Sequence, residues 1–224
     1  MRIRTENLTR KYRLGSSEIT AVSDVSFEVR EAQFTAIVGR SGSGKSTLLN
    51  LVGLNDNPTS GKVFIDDLDV FSFSAGKRRS IRLRRMGFVF QTFNLLPTLD
   101  AVENVELPMA LAAKPKREQR ERAVKLLSTV GLGSRFSHRP KQLSMGEMQR
   151  VAIARALAND PEIVIADEPT GELDTKTAKE IIALLFDICK TRKKTVLVAT
   201  HDENVVEAAD AVYTIQDGKL ELRD

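Results

Sequence analysis

The chain has 224 residues, 42% of them hydrophobic, with 34 Lys or Arg against 30 Asp or Glu. That length and apolar content supply the core of one large domain, or of a domain with a lobe, without covalent staples, and they exclude a disordered chain. The net charge of +4 is a small difference between near-balanced acids and bases and does not itself point to nucleic acid, while the single cysteine, Cys189, excludes an internal disulfide and fits a reducing cytosol.

The first residues contain no apolar signal core, and no run reaches the roughly 18 apolar residues of a membrane span. A soluble chain is therefore expected, with any membrane role supplied by a partner. Residues 3–8 and 22–29 alternate apolar and polar positions, which predicts two strands of an antiparallel apron around a polar turn at Gly15, Ser16 and Ser17. Between them stands Tyr12, flanked by Lys11 and Arg13, placed either to stack on a purine or to anchor a strand end.

The apolar run 34–38 leads into Gly39-Arg40-Ser41-Gly42-Ser43-Gly44-Lys45-Ser46-Thr47, which fits the pattern G-x-x-x-x-G-K-[ST]. Its glycines let successive backbone N–H groups converge on phosphate oxygens, Lys45 neutralises the β- and γ-phosphates, and Ser46 offers a hydroxyl to Mg²⁺. From Thr47 onward the sequence predicts a helix whose positive end faces the nucleotide. The competing reading is a flexible Gly/Ser turn, which the strand before and the helix after disfavour.

Residues 61–65 read as a strand and 66–74 as a loop. The dense basic run from Lys77 to Arg85 lacks interleaved aromatics, so it reads as a solvated helix face in preference to a nucleic-acid or anionic-lipid site. Residues 87–90 form a buried strand that delivers Gln91, and the loop after it carries Phe93, Leu95 and Leu96, apolar enough to predict a docking surface or a lid. Helical spacing then covers 101–107 and 116–130. The stretch Leu143-Ser144-Met145-Gly146-Glu147 opens a further helix, with Ser144 and Glu147 spaced as a capping box.

The apolar run 163–166 predicts a buried parallel strand ending in Asp167-Glu168. Asp167 is placed to hold Mg²⁺, and Glu168 to orient or deprotonate a water attacking the γ-phosphate. Helix 175–191 and strand 195–199 follow, and the strand ends at His201, either a γ-phosphate sensor or a surface residue capping the helix that Glu203 begins. A strand at 211–216, a turn at Asp217-Gly218 and an edge strand close the chain. The alternation predicts an α/β fold with a mostly parallel sheet covered on both faces.

Taken together and in this order, these motifs resemble the ATP-binding cassette (ABC) ATPases over essentially the whole length. The resemblance implies a P-loop NTPase core at about 1–90 and 160–224 with an N-terminal antiparallel β subdomain, and an inserted α-helical subdomain at about 91–159. It matches Gln91 to the glutamine loop, Leu143 to Glu147 to the LSGGQ stretch, Asp167 and Glu168 to the aspartate strand and catalytic glutamate, Asp174 to the aspartate loop, His201 to the switch histidine, and Tyr12 to the adenine-stacking aromatic. By the same analogy two copies pack head to tail, with Ser144, Gly146 and Glu147 of one closing over the ATP held by Lys45 of the other. Met145 and Glu147 depart from the family's glycine and glutamine, and both are expected to weaken the ATP dimer, the first by bulk and the second by repelling phosphate.

Within the family, residues 87–96, 103–108 and 167–174 are similar to the stand-alone subunits of the lipoprotein-release, macrolide-export and cell-division type. That implies a subunit at the cytoplasmic face of the membrane that couples ATP hydrolysis to a separate permease docked near Phe93, Leu95 and Leu96, with no nucleic acid involved. The alternatives are a regulatory ATPase whose membrane partner moves no substrate, a soluble ABC protein acting on DNA or ribosomes, and an ATP-binding module without turnover. The absence of a second cassette or coiled-coil insertion disfavours the second of these, and Glu168 with His201 the last.

Overall fold

The computed structural model describes residues 1–15 and 17–223, so Ser16 of the expected turn lies outside the described residues. In chain order the elements are β1 (Ile3–Leu14), β2 (Ser17–Val25), β3 (Glu28–Val29), β4 (Phe34–Val38), α1 (Lys45–Val52), β5 (Ser60–Ile65), β6 (Leu68–Asp69), α2 (Ala75–Arg85), β7 (Met86–Phe90), α3 (Ala101–Leu111), α4 (Lys116–Thr129), α5 (Met145–Ala156), β8 (Ile163–Asp167), α6 (Thr175–Arg192), β9 (Thr195–Thr200), α7 (Glu203–Ala208), β10 (Ala211–Gln216) and β11 (Lys219–Leu222).

Apolar content decides the central sheet. Strands β4, β8 and β9 are buried almost throughout, which demands cover on both faces. They lie in a six-stranded sheet of order β11-β10-β4-β9-β8-β7, parallel except for the β10–β11 pair. Side chains alternate across it. Phe34, Ala36, Val164, Ala166, Val196 and Val198 face a core built with α3 to α6. Ile37, Ile163, Ile165, Leu197 and Ala199 face a second core shared with α1 and the N-terminal sheet. At about 25 cal/mol per Å² of apolar area, these two layers dominate the stability of the chain.

The N-terminal apron is an antiparallel sheet of order β2-β1-β5-β6 with β3 beside β1. Two expectations need correction here. The segment 22–29 is not one strand, because Asp24 takes a left-handed φ of 55° near the end of β2 and β3 pairs separately with β1. The segment 66–74 is not a plain loop: Asp66 and Asp67, both at positive φ, turn the chain into β6, and the Asp69 carboxylate accepts the Phe71 N–H to start a 3-10 turn at Val70–Ser72. Two-residue strands are too short to leave a period in sequence. The expected helix at 101–107 also runs on to Leu111, since Pro108 removes only one donor from the helical ladder.

The register of the parallel strands matters for function. Ile37 pairs with Ala199, Ala199 with Asp167, and Asp167 with Phe90, so four adjacent strands end level with one another. At about 4.8 Å between neighbours, the loops after β4, β9, β8 and β7 emerge within about 15 Å along one edge.

Candidate active site

The phosphate loop leaves β4 and enters α1 through Gly44, whose φ of 109° is a conformation that L side chains rarely adopt. A Cβ there would also lie 2.3 Å from the Ala21 carbonyl oxygen. No side chain caps α1 and its first turn holds no acid, which leaves its first N–H groups open to an anion. The buried Lys45 ammonium donates to the carbonyls of Gly39 (2.7 Å) and Arg40 (3.1 Å) and lies 3.2 Å from Glu168 Oε1. Its charge is thus held by oxygens at the place where phosphate oxygens are expected.

Glu168 sits just past the end of β8 at a left-handed φ of 46°, held by its N–H donating to the Ala199 carbonyl at 2.9 Å. Such a backbone costs about 1–3 kcal/mol and persists where surrounding structure dictates it. Its Oε1 faces Lys45, and its Oε2 lies 2.9 Å from His201 Nδ1. Among the described residues Oε2 is a buried oxygen without a hydrogen-bond partner. The helix after His201 is capped by Asp202, which accepts from the Asn204 N–H, so capping is not the role of His201.

Lys45, Ser46, Thr47, Gln91, Glu168 and His201 line one cavity of about 340 Å³, with Ser41, Gly42 and Gly44 on its phosphate-loop side. Residues 39–43 also border a second depression of about 450 Å³ against 214–217. Gln91 donates from Nε2 to Glu172 Oε1 at 2.9 Å.

A divalent cation fits this donor set. Among the described residues Asp167 Oδ1 is buried without a hydrogen-bond partner. Burial pushes the Asp167 carboxyl up from its ordinary value, against a hydrogen bond from the Ser46 hydroxyl that lowers it. Among the described residues no three His, Cys, Asp or Glu converge. The carboxylate of Asp167 beside the Ser46 hydroxyl suits Mg²⁺, which takes one or two protein ligands together with water and phosphate oxygens.

Other expected site residues lie elsewhere. Tyr12 does not line either cavity; its hydroxyl donates to Asp56 Oδ2 at 2.8 Å, and the Arg10 guanidinium lies 4.5 Å from its ring centre. Asp174 caps α6, accepting from the N–H groups of Lys176 and Thr177. Ser144, Gly146 and Glu147 stand at the N-terminus of α5. Ser144 Oγ accepts from the Glu147 N–H, and Glu147 Oε2 accepts from the Ser144 N–H. The local geometry is therefore the expected capping box, but the charge argument needs revision. Glu147 Oε1 accepts from Arg135 Nε at 2.8 Å, and Arg135 holds its carboxyl below the usual range, so its negative charge already faces a guanidinium. Nothing local in sequence marks Arg135 as that partner. Met145 is half exposed, in keeping with a contact surface.

The comparisons decide the family. Residues 22–171, well over half the chain, match the family model described as "ABC transporter". The chain belongs to the ABC transporter family. An ABC transporter ATP-binding protein of Thermotoga maritima is 51% identical over 210 residues, covering 94% of this chain and 89% of that protein. The ABC cassette MJ0796 of Methanocaldococcus jannaschii, solved as a dimer, superposes with a TM-score of 0.91 at 45% identity, covering 98% of this chain and 96% of the other. The macrolide export ATP-binding/permease protein MacB of Vibrio parahaemolyticus is 42% identical over 97% of this chain, which spans 33% of MacB. As an ABC cassette the chain is an ATPase of P-loop NTPase fold that uses ATP and Mg²⁺.

Proposed function

We propose that this cassette is the motor subunit of a membrane ABC system, in which two copies pack head to tail around two MgATP and couple hydrolysis to a separate permease. One observation carries the reading. Lys45, Gln91, Glu168 and His201 meet around one cavity, whereas Ser144 and Gly146, the other expected phosphate contacts, lie outside it. A second copy completes the site, its α5 N-terminus presenting free N–H groups to the γ-phosphate. The dimeric cassette MJ0796 supports that arrangement, since its post-hydrolysis state was also solved as a dimer bound to ADP and Pi.

In this reading Lys45 and the phosphate-loop N–H groups bind and orient the phosphates, with Arg40, Ser41, Gly42 and Ser43 contributing backbone. Ser46, Gln91 and Asp167 would hold Mg²⁺, which would supply positive charge against the phosphates. Glu168 takes the proton of the attacking water, His201 positions the γ-phosphate, Asp174 borders the second copy, and Tyr12 supports the adenine. Residues 91–159 act as a helical subdomain on the core.

Among the described residues no helix is long and apolar enough to cross a membrane, so the permease is a separate protein or segment. MacB, named as both ATP-binding protein and permease, suggests export. The docking place is a groove of about 370 Å³ whose lining includes Leu83, Met86, Phe88, Leu111 and the cationic Arg79 and Arg82. It opens beside Asn94, with the exposed Leu96 and the half-buried Phe93 and Leu95 on the same loop. Part of the basic run thereby lines a groove instead of serving only as a solvated face.

Glu168→Gln removes the base while keeping the side chain's size. It is expected to lower ATP turnover by at least about a hundredfold, the usual scale of a lost general base, with ATP affinity retained. Normal turnover in this variant would remove Glu168 from the mechanism.

A further inference from the structure

The loop after Gln91 enters through two consecutive non-glycine residues at left-handed φ, Phe93 (58°) and Asn94 (49°). Such residues persist only where their surroundings hold them. The turn is closed by the Phe93 N–H donating to the Phe90 carbonyl (3.2 Å) and the Asn94 N–H donating to the Thr92 carbonyl (2.6 Å), and one side chain grips its two free carbonyls. Arg155, near the C-terminal end of α5, donates from Nη2 to the Phe93 carbonyl at 2.7 Å and from Nη1 to the Asn94 carbonyl. A guanidinium is a rigid fork, suited to gripping two adjacent acceptors at once. The far side of the loop is tied to α3, where the fully buried Asn104 accepts from the Leu96 N–H and donates to the carbonyls of Leu96, Leu99 and Asp100. Gln91 and Thr92 are left as the short link between this pinned loop and β7.

Arg155 stands at a junction. It lines the groove beside Asn94 and Pro108. Eleven residues before it on the same helix, about 16 Å at the helical rise, stands Ser144. We propose that Arg155 is a positioning residue for ATP hydrolysis: by clamping the carbonyls of Phe93 and Asn94 it fixes where Gln91 reaches into the phosphate cavity, and it makes Gln91 follow any displacement of α5. This rests on the assignment of Gln91 to the ATP site. It gives the groove a direct mechanical link to the cavity, because anything seated against Arg155 and Asn94 bears on the same two carbonyls.

The test compares Arg155→Ala, Arg155→Lys, Arg155→Ala with Asn94→Gly, and Gln91→Ala, all in the full chain, by steady-state ATPase and by amide hydrogen exchange. For Arg155→Ala the expected result is a fall of about tenfold in kcat with KM for ATP changed less than about twofold, the signature of misplacement without lost binding. Exchange should accelerate in residues 92–96 and stay unchanged in the rest of α5. Lysine, which grips one carbonyl at a time, should be intermediate. Adding Asn94→Gly should recover part of kcat, since glycine holds φ near 49° without strain. The proposal is overturned if Arg155→Ala leaves kcat and the 92–96 exchange unchanged, or if exchange rises throughout α5 and the glycine recovers nothing. If Gln91→Ala keeps full kcat, the assignment of Gln91 fails, and exchange at 92–96 still reports whether the clamp exists.

Discussion

Asp167, the proposed Mg²⁺ ligand, is kept as a buried carboxylate at a structural cost. Burial holds its pKa above the ordinary 3.8, so between that value and the folded one the native chain binds more protons than the unfolded chain. Stability therefore falls as pH rises through this window, and at neutral pH the ionised Asp167 destabilises the nucleotide-free protein. Asp167→Asn should raise the urea midpoint at pH 7 while abolishing Mg²⁺-dependent hydrolysis; an unchanged or lowered midpoint would contradict the burial argument. Glu147 has the opposite sign. With its pKa held below the ordinary 4.5 by Arg135, it contributes stability that is complete above about 4.5 and lost as pH falls through the folded value. Glu147→Gln is accordingly expected to lower the midpoint at pH 7 by a small amount, as exposed pairs do, and the difference from the parent should vanish as the pH falls below the folded value. Because that charge is already matched, Met145→Gly should strengthen ATP-driven association more than Glu147→Gln does, which a titration of dimer against ATP would measure.

At the scale of elements, the packing of α5 on α6 explains a glycine that the family motif alone presents as phosphate-facing. A Cβ on Gly146 would stand 2.5 Å from Thr177 Cγ2, so the N-termini of the two helices approach too closely for a side chain. Gly146→Ala should lower the melting temperature by several degrees, and Thr177→Ser, which removes the clashing methyl, should restore it. If the double variant melts as low as the single one, the contact does not limit the packing. Much of this scale was legible in sequence. The continuous apolar runs of β4, β8 and β9, the glycine-rich turn before Lys45 and the Ser144–Glu147 spacing each leave a local pattern, and each element stands where that pattern placed it. The 22–29 and 66–74 segments were misread because left-handed Asp24, Asp66 and Asp67 break the chain without any glycine to announce it. Arg135, Thr177 and Arg155 were invisible for another reason: their partners lie 12, 31 and 61 or more residues away in sequence, where no periodicity reaches.

For the whole molecule, the sheet register and the position of α5 pull in different directions. Four level strand ends gather the loops that line the cavity, while the N-terminus of α5 is kept apart from the cavity of its own chain. Under the proposed function such a protein works as a pair, with ATP as the bridge, and the groove beside Arg155 would convey closure of that pair to the permease. The most direct test of this account is sedimentation velocity of Glu168→Gln in MgATP, with and without Ser144→Asp. Aspartate caps a helix as well as serine does, so α5 stays intact, but it sets a negative charge against the partner's γ-phosphate. The account predicts a dimer for Glu168→Gln alone and an ATP-binding monomer once Ser144→Asp is added; a monomer in the first case, or an undiminished dimer in the second, would contradict it.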